Sequence, residues 1–129
     1  EIYDQYLIPF LFSLNFPIEE IRVLEDNVRY HSTGHNQVVT STFNIQKLPL
    51  PANSPDLNPI ENAWHILKVR LWKRFTQNTW KRPSSEDELW AVMEEEWEAI
   101  DQEILDRLVD SMAGRVEAVV AVRGNHIKW

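Results

Sequence analysis

Apolar positions recur along this chain in two rhythms, and their order predicts its architecture. In "EIYDQYLIPFLFSLN", Ile2, Tyr6, Phe10 and Leu14 return at near-helical spacing around Pro9, which predicts an amphipathic opening helix with the proline as its weak point. "EIRVLED" is short, β-branched and bounded by Pro17 and "DN", the pattern of a buried strand over residues 21–25. "STGHNQVVTSTF" predicts a short helix, and "NIQKLPL" a second strand over residues 45–50, stopped by Pro49 and Pro51. After the loop "PANSPDLN", a longer helix runs from Pro59 to about Phe75, with Ile60, Trp64, Leu67 and Leu71 as one stripe. "TQNTWKRPSS" reads as a linker. The next helix opens with Ser85 and Glu88 as a capping box and carries Leu89, Val92, Met93, Trp97 and Ile100 on its apolar face. A further helical stretch holds Ile104, Leu105, Leu108 and Met112, with a break expected at Gly114 and a helix cap at Gly124. Two strands separated by a helix suggest a parallel β-α-β unit. Two strands alone make a thin sheet, so the pattern is that of the back part of a larger α/β domain.

Composition narrows the chemistry. At 129 residues and 43% hydrophobic, the chain has material for one domain with a core. No apolar run approaches the roughly 18 residues of a membrane span, and the first residues lack the basic start of a signal peptide. Cysteine is absent and glycine scarce, which excludes disulfides, thiolate metal sites and a glycine-rich phosphate cradle, and favours an intracellular setting. The net charge of −7 argues against nucleic-acid binding over the whole surface. The charge is uneven, however. Residues 62–85 carry no acid but hold Lys68, Arg70, Lys73, Arg74, Lys81 and Arg82, whereas residues 86–106 carry ten acids and no Lys or Arg. Such runs mark either faces with different tasks or, more commonly, solvated helices.

The segment "SPDLNPIENAW" combines a helix start with a question about an acid. Asn58 suits the N-cap, Pro59 the first helical position, and Glu61 the third, from which it could reach back to the cap. Functional residues of open parallel sheets gather at the carboxyl ends of strands, and Asp26 follows the first predicted strand. With 34 residues between them, a returning loop could bring Glu61 beside Asp26. Paired carboxylates with few histidines and no cysteine are hard oxygen ligands suited to Mg²⁺ or Mn²⁺. Two such ions support in-line phosphoryl transfer. Spacing alone selects this pair only weakly among the chain's acids.

"LEDNVRYHS", "LPLPANSPDLNPIENAWHILKVRL" and "SMAGRVEAVVAVRGNHIKW" together resemble the second half of the catalytic domain of mariner-superfamily transposases, of the DDE integrase-like group. The resemblance runs from about Tyr3 to the end and implies an α/β, ribonuclease-H-like fold. It implies that Asp26 is the second and Glu61 the third metal-binding catalytic carboxylate, with Asn27 and His31 as neighbours of the site. The implied cofactor is Mg²⁺ or Mn²⁺, two ions in the complete family site. The implied chemistry is cleavage of DNA at element ends and strand transfer to a target, in the nucleus and away from membranes. Lys68, Arg70, Lys73 and Arg74 lie on the helix past which the family leads DNA, which makes them candidate phosphate contacts.

One departure counts against activity. The family's first catalytic Asp lies on an earlier strand, and the only Asp before Asp26 is Asp4, within the opening helix. The expectation is a single partial catalytic domain over residues 1–129, lacking the first strands and the DNA-binding region, unable to cleave alone and prone to pairing through its exposed edge. The alternative reading is a dead remnant that serves as a non-enzymatic interaction module through its acidic helices. Asp56 is the rival acid of its segment, with loop hydrogen bonding as its expected role. Trp64 is expected in the core. Trp72, Trp80, Trp90, Trp97 and Trp129 are expected in packing or at a partner interface rather than stacked on bases.

Overall fold

The computed structural model describes residues 2–26, 34–77 and 82–128, and these form two compact units, residues 1–54 and 55–129. Asn27 and His31 fall outside the described residues.

The first unit opens with a π-helical turn, Tyr3–Leu7, that runs directly into α1, Ile8–Ser13. Pro9 has no N–H to donate and its ring would crowd the carbonyl four residues back. The turn before it widens instead, with the Ile8 N–H bonding the Tyr3 carbonyl. This widening changes which residues face inward. Tyr3, Ile8 and Leu11 are buried with Val39 and Ile45, and Leu7, Ile18, Ile21, Val23 and Phe43 pack against them. The stripe expected from regular 3.6-residue spacing is on the outside: Ile2, Tyr6 and Phe10 are well exposed and Leu14 is at the surface.

Strand β1, Arg22–Leu24, pairs in parallel with β2, Gln46–Leu48, in the register Arg22 to Gln46, Val23 to Lys47 and Leu24 to Leu48. Helix α2, Gly34–Thr42, connects them. It ends in a Schellman motif: Asn44 takes φ 52°, the Asn44 N–H bonds the Ser41 carbonyl at 3.2 Å, and the Ile45 N–H bonds the Thr40 carbonyl at 2.8 Å. The β-α-β unit is therefore present, but its strands are shorter than expected and are not buried. Arg22 is exposed, Val23 and Leu24 are half-buried, and β2 is exposed throughout. With two strands there is too little structure in this unit to cover both faces of the sheet.

The second unit is helical. A short 3₁₀ turn, Pro55–Leu57, leads into α3, Pro59–Thr76, followed by α4, Glu86–Glu98, α5, Gln102–Asp110, and α6, Met112–Ala121. α3 packs against α4 and α5, and α6 packs against the 3₁₀ turn and α5. The break between α5 and α6 falls at Ser111, not at Gly114, which lies inside α6. The Ser111 hydroxyl bonds the Leu108 carbonyl at 2.6 Å, drawing the last turn of α5 away from a continuous helix. The end of α6 is a second Schellman motif. Arg123 (φ 55°) bonds the Val120 carbonyl through its N–H, and Gly124 (φ 83°) bonds the Val119 carbonyl. Gly124 thus supplies the positive φ expected of it, with Arg123 as the first left-handed residue.

α4 keeps half of its expected capping box. The Ser85 hydroxyl accepts from the Glu88 N–H, while the Glu88 carboxylate reaches one residue further and accepts from the Ser84 N–H and hydroxyl. These bonds hold the Glu88 carboxyl below its ordinary range. No helix among the described residues is long and apolar enough to cross a membrane.

Candidate active site

Each candidate carboxylate is set by its own unit. Asp26 stands at the carboxyl end of β1, is exposed, and sits close enough to Tyr3 for its charge to act on the phenol. Its neighbour Glu25 is occupied. Its carboxylate accepts from the Tyr3 hydroxyl and pairs with Lys47 at 2.6 Å, and the Lys47 ammonium lies 5.5 Å from the Tyr3 ring centroid. Burial, followed by the bond to Glu25 and the charges of Glu25 and Asp26, pushes the Tyr3 hydroxyl far above its ordinary range. Of the two strand-end acids, Glu25 is half-buried and Asp26 is exposed. Asp4 is also committed: its carboxylate meets His35 Nε2 at 2.7 Å, and that bond holds it below its ordinary range.

Glu61 lies in the first turn of α3. The expected Asn58 cap forms, its side-chain oxygen accepting from the Ile60 N–H at 3.4 Å. The N–H that a capping-box glutamate would accept, that of Asn58, is already donated to the Pro55 carbonyl at 3.1 Å. Glu61 is therefore not needed at the cap. Its side chain is exposed and has no hydrogen-bond or ion-pair partner among the described residues.

A buried arginine fixes this helix start. Arg115, on α6, is fully buried. It donates to the Asp56 carbonyl at 3.0 Å, to Asn62 Oδ1 at 2.8 Å and to the Ser111 hydroxyl at 2.8 Å. Its first two acceptors bracket residues 57–61, so one guanidinium holds both the turn and the first helical turn in which Glu61 sits. Burial lowers the Arg115 pKa, and the Asp56 charge opposes this. The Asp56 carboxylate itself accepts from the Ile127 N–H at 3.0 Å and lies 3.9 Å from His126 Nδ1. Its carboxylate is a hydrogen-bond acceptor, as expected, but for the 126–127 segment rather than within its own loop. Arg115 was not singled out from the sequence. Its signals there are a lone cation in the mostly apolar run "AGRVEAVVAV" and its place in the closing segment that carries the resemblance.

Asp26 belongs to the first unit and Glu61 to the second. Among the described residues, no group of three or more His, Asp or Glu side chains forms a metal-holding cluster. Each candidate is an exposed carboxylate, a hard oxygen donor of the kind that suits a divalent ion such as Mg²⁺.

The basic and acidic runs meet within the second unit. Arg70 Nε bonds Glu96 at 2.9 Å, and Arg74 bonds Glu96 and Glu95 at 2.8 Å each. These bonds hold the Glu96 carboxyl below its ordinary range and raise the Arg74 pKa further. Lys68 and Lys73 remain exposed on α3. Trp64 is not in the core: it is 48% exposed, while Ala63 and Leu67 are the buried positions of α3.

A β-α-β unit followed by helices, with one acid just after a strand and another at a helix start, is the arrangement expected of part of a ribonuclease-H-like fold. The chain matches the crystal structure of the catalytic domain of Mos1 mariner transposase with a TM-score of 0.71 at 21% identity, over 98% of this chain and 57% of that one. The chain belongs to the DDE superfamily endonucleases, whose family model matches residues 5–81. The Tc1 transposase of Caenorhabditis elegans is 32% identical over 105 residues, which is 81% of this chain and 36% of that protein. The Tc3 transposase of the same organism is 33% identical over 111 residues, 86% of this chain and 32% of that protein. The chain thus spans about a third of the length of these relatives.

Proposed function

We propose that this chain is the part of a mariner/Tc1-type catalytic domain that contributes Asp26 and Glu61 as the second and third metal-binding carboxylates for DNA cleavage and strand transfer. The observation that carries this reading is that the family match over residues 5–81 contains both acids. Both are exposed, and their neighbours Glu25 and Asp56 are bound by other groups. Mg²⁺ or Mn²⁺, two ions in the complete site, would be held by these oxygens and would activate the attacking oxygen and stabilise the leaving one. The protein's own part is to hold the two carboxylates. The parallel strand sets Asp26, while Asn58, Pro59 and the buried Arg115 set Glu61.

The substrates in this reading are transposon ends and target DNA, and the place of action is the nucleus. Self-association would bring two ends together. Lys68 and Lys73 are the phosphate contacts it favours, because Arg70 and Arg74 are engaged by Glu95 and Glu96. The test is nicking of supercoiled plasmid with Mn²⁺ by a longer chain that includes an upstream Asp-bearing strand. Nicking should require both Asp26 and Glu61, and persistence of nicking in Glu61→Ala would overturn the assignment.

A further inference from the structure

The face of α3 that carries Trp64 opens, with α4, into an aromatic groove of about 460 Å³. Ile60 and Trp64 form one wall, and Trp90, Met93 and Trp97 form the other. Trp64 is 48% exposed and Trp90 is 68% exposed. Two tryptophans this open beside one another are a costly surface to leave in water, and such patches mark binding sites.

Charge selects the occupant. Glu94 and Glu98 also line the groove, on the same stripe of α4 as Trp90, Met93 and Trp97. Both are exposed, and neither has an ion-pair or hydrogen-bond partner among the described residues. The adjacent Glu95 and Glu96 are neutralised by Arg70 and Arg74. Of the four acids in the second half of α4, the two that are not paired with α3 both line the groove. Carboxylates at this position repel phosphate, which disfavours base stacking by DNA. Indole faces beside carboxylates instead favour a cation, through cation–π attraction and ion pairing. The stripe from Trp90 to Glu98 rises about 12 Å, the length of a short peptide segment.

We propose that this groove docks a cationic peptide segment of a partner protein, with apolar side chains inserted between the tryptophans and Lys or Arg paired with Glu94 and Glu98. This inference rests on the second unit alone and is independent of the carboxylate assignment. It is tested by titrating the chain with a synthetic helical Leu/Lys peptide while following the tryptophan indole NMR signals. The expected result is a shift of the Trp64, Trp90 and Trp97 signals, with affinity that falls as salt is raised. The double variant Glu94→Gln/Glu98→Gln, changed only at exposed positions, should keep its circular dichroism and bind at least about fivefold more weakly. Equal binding of a Leu/Glu peptide, or unchanged affinity in the double variant, would overturn the proposal. So would indole shifts produced by duplex DNA or by protein concentration alone, or burial of Trp64 and Trp90 in a longer chain.

Discussion

Adjacent residues at the start of α3 differ in what engages them. Asn62 accepts from the buried Arg115, while Glu61 projects from the same turn and is exposed. Replacing Glu61 by Ala should change stability in urea unfolding by no more than about 0.5 kcal/mol, as expected of an exposed site away from packing. Arg115→Ala should instead cost about 1–3 kcal/mol, because it removes the buried donor that the half-buried Asp56 carbonyl and Asn62 side chain accept from. Arg115→Lys should rescue little, since an ammonium cannot reproduce a planar fork that serves three acceptors. A Glu61 variant as unstable as the Arg115 variant would make Glu61 a structural residue. The candidate acids could be named from the motif, but what holds them could not. Arg115 lies more than fifty residues along the chain from its acceptors Asp56 and Asn62, and no local pattern encodes that contact.

Among the elements, the α3–α4 pair shows what charge runs conceal in a sequence. A basic stretch and an acidic stretch read as two solvated faces, yet Arg70, Arg74, Glu95 and Glu96 face one another. Because Glu96 is depressed in the folded state, its contribution is present above the unfolded glutamate value of about 4.3. It is lost as pH falls through the lower folded value. Thermal melts should therefore show stability declining on acidification below about pH 4.3, and Glu96→Gln should flatten that decline. An unchanged pH profile in the variant would remove the pair from the helix contact. Element order and most boundaries were legible because periodicity and caps are local signals. Phase was not. A π turn before Pro9 rotated the opening helix so that Tyr3 and Ile8 point inward in place of Tyr6 and Phe10. The stripe on α3 also divided, leaving Leu67 in the core and Trp64 in a groove.

For the whole molecule, the fold is recognisable while much apolar surface stays open. A two-stranded sheet leaves an edge on each strand, and Phe10, Phe12, Phe16 and Val38 are more than half exposed in the same unit. Concentration-dependent association in sedimentation is expected, and a sharp two-state melt of a monomer would count against it. If Lys68 and Lys73 contact phosphates, DNA affinity should fall steeply with salt, and Lys68→Gln/Lys73→Gln should reduce the slope by about two. A salt-independent signal would sink that assignment. The proposed sharing of metal ions by Asp26 and Glu61 is tested most directly by paramagnetic broadening of the chain's NMR spectrum by Mn²⁺. Signals around Asp26 and Glu61 should broaden together at the same Mn²⁺ concentration, and Glu61→Ala should weaken both. Broadening confined to one of the two acids, or centred on the acidic run of α4, would contradict the claim.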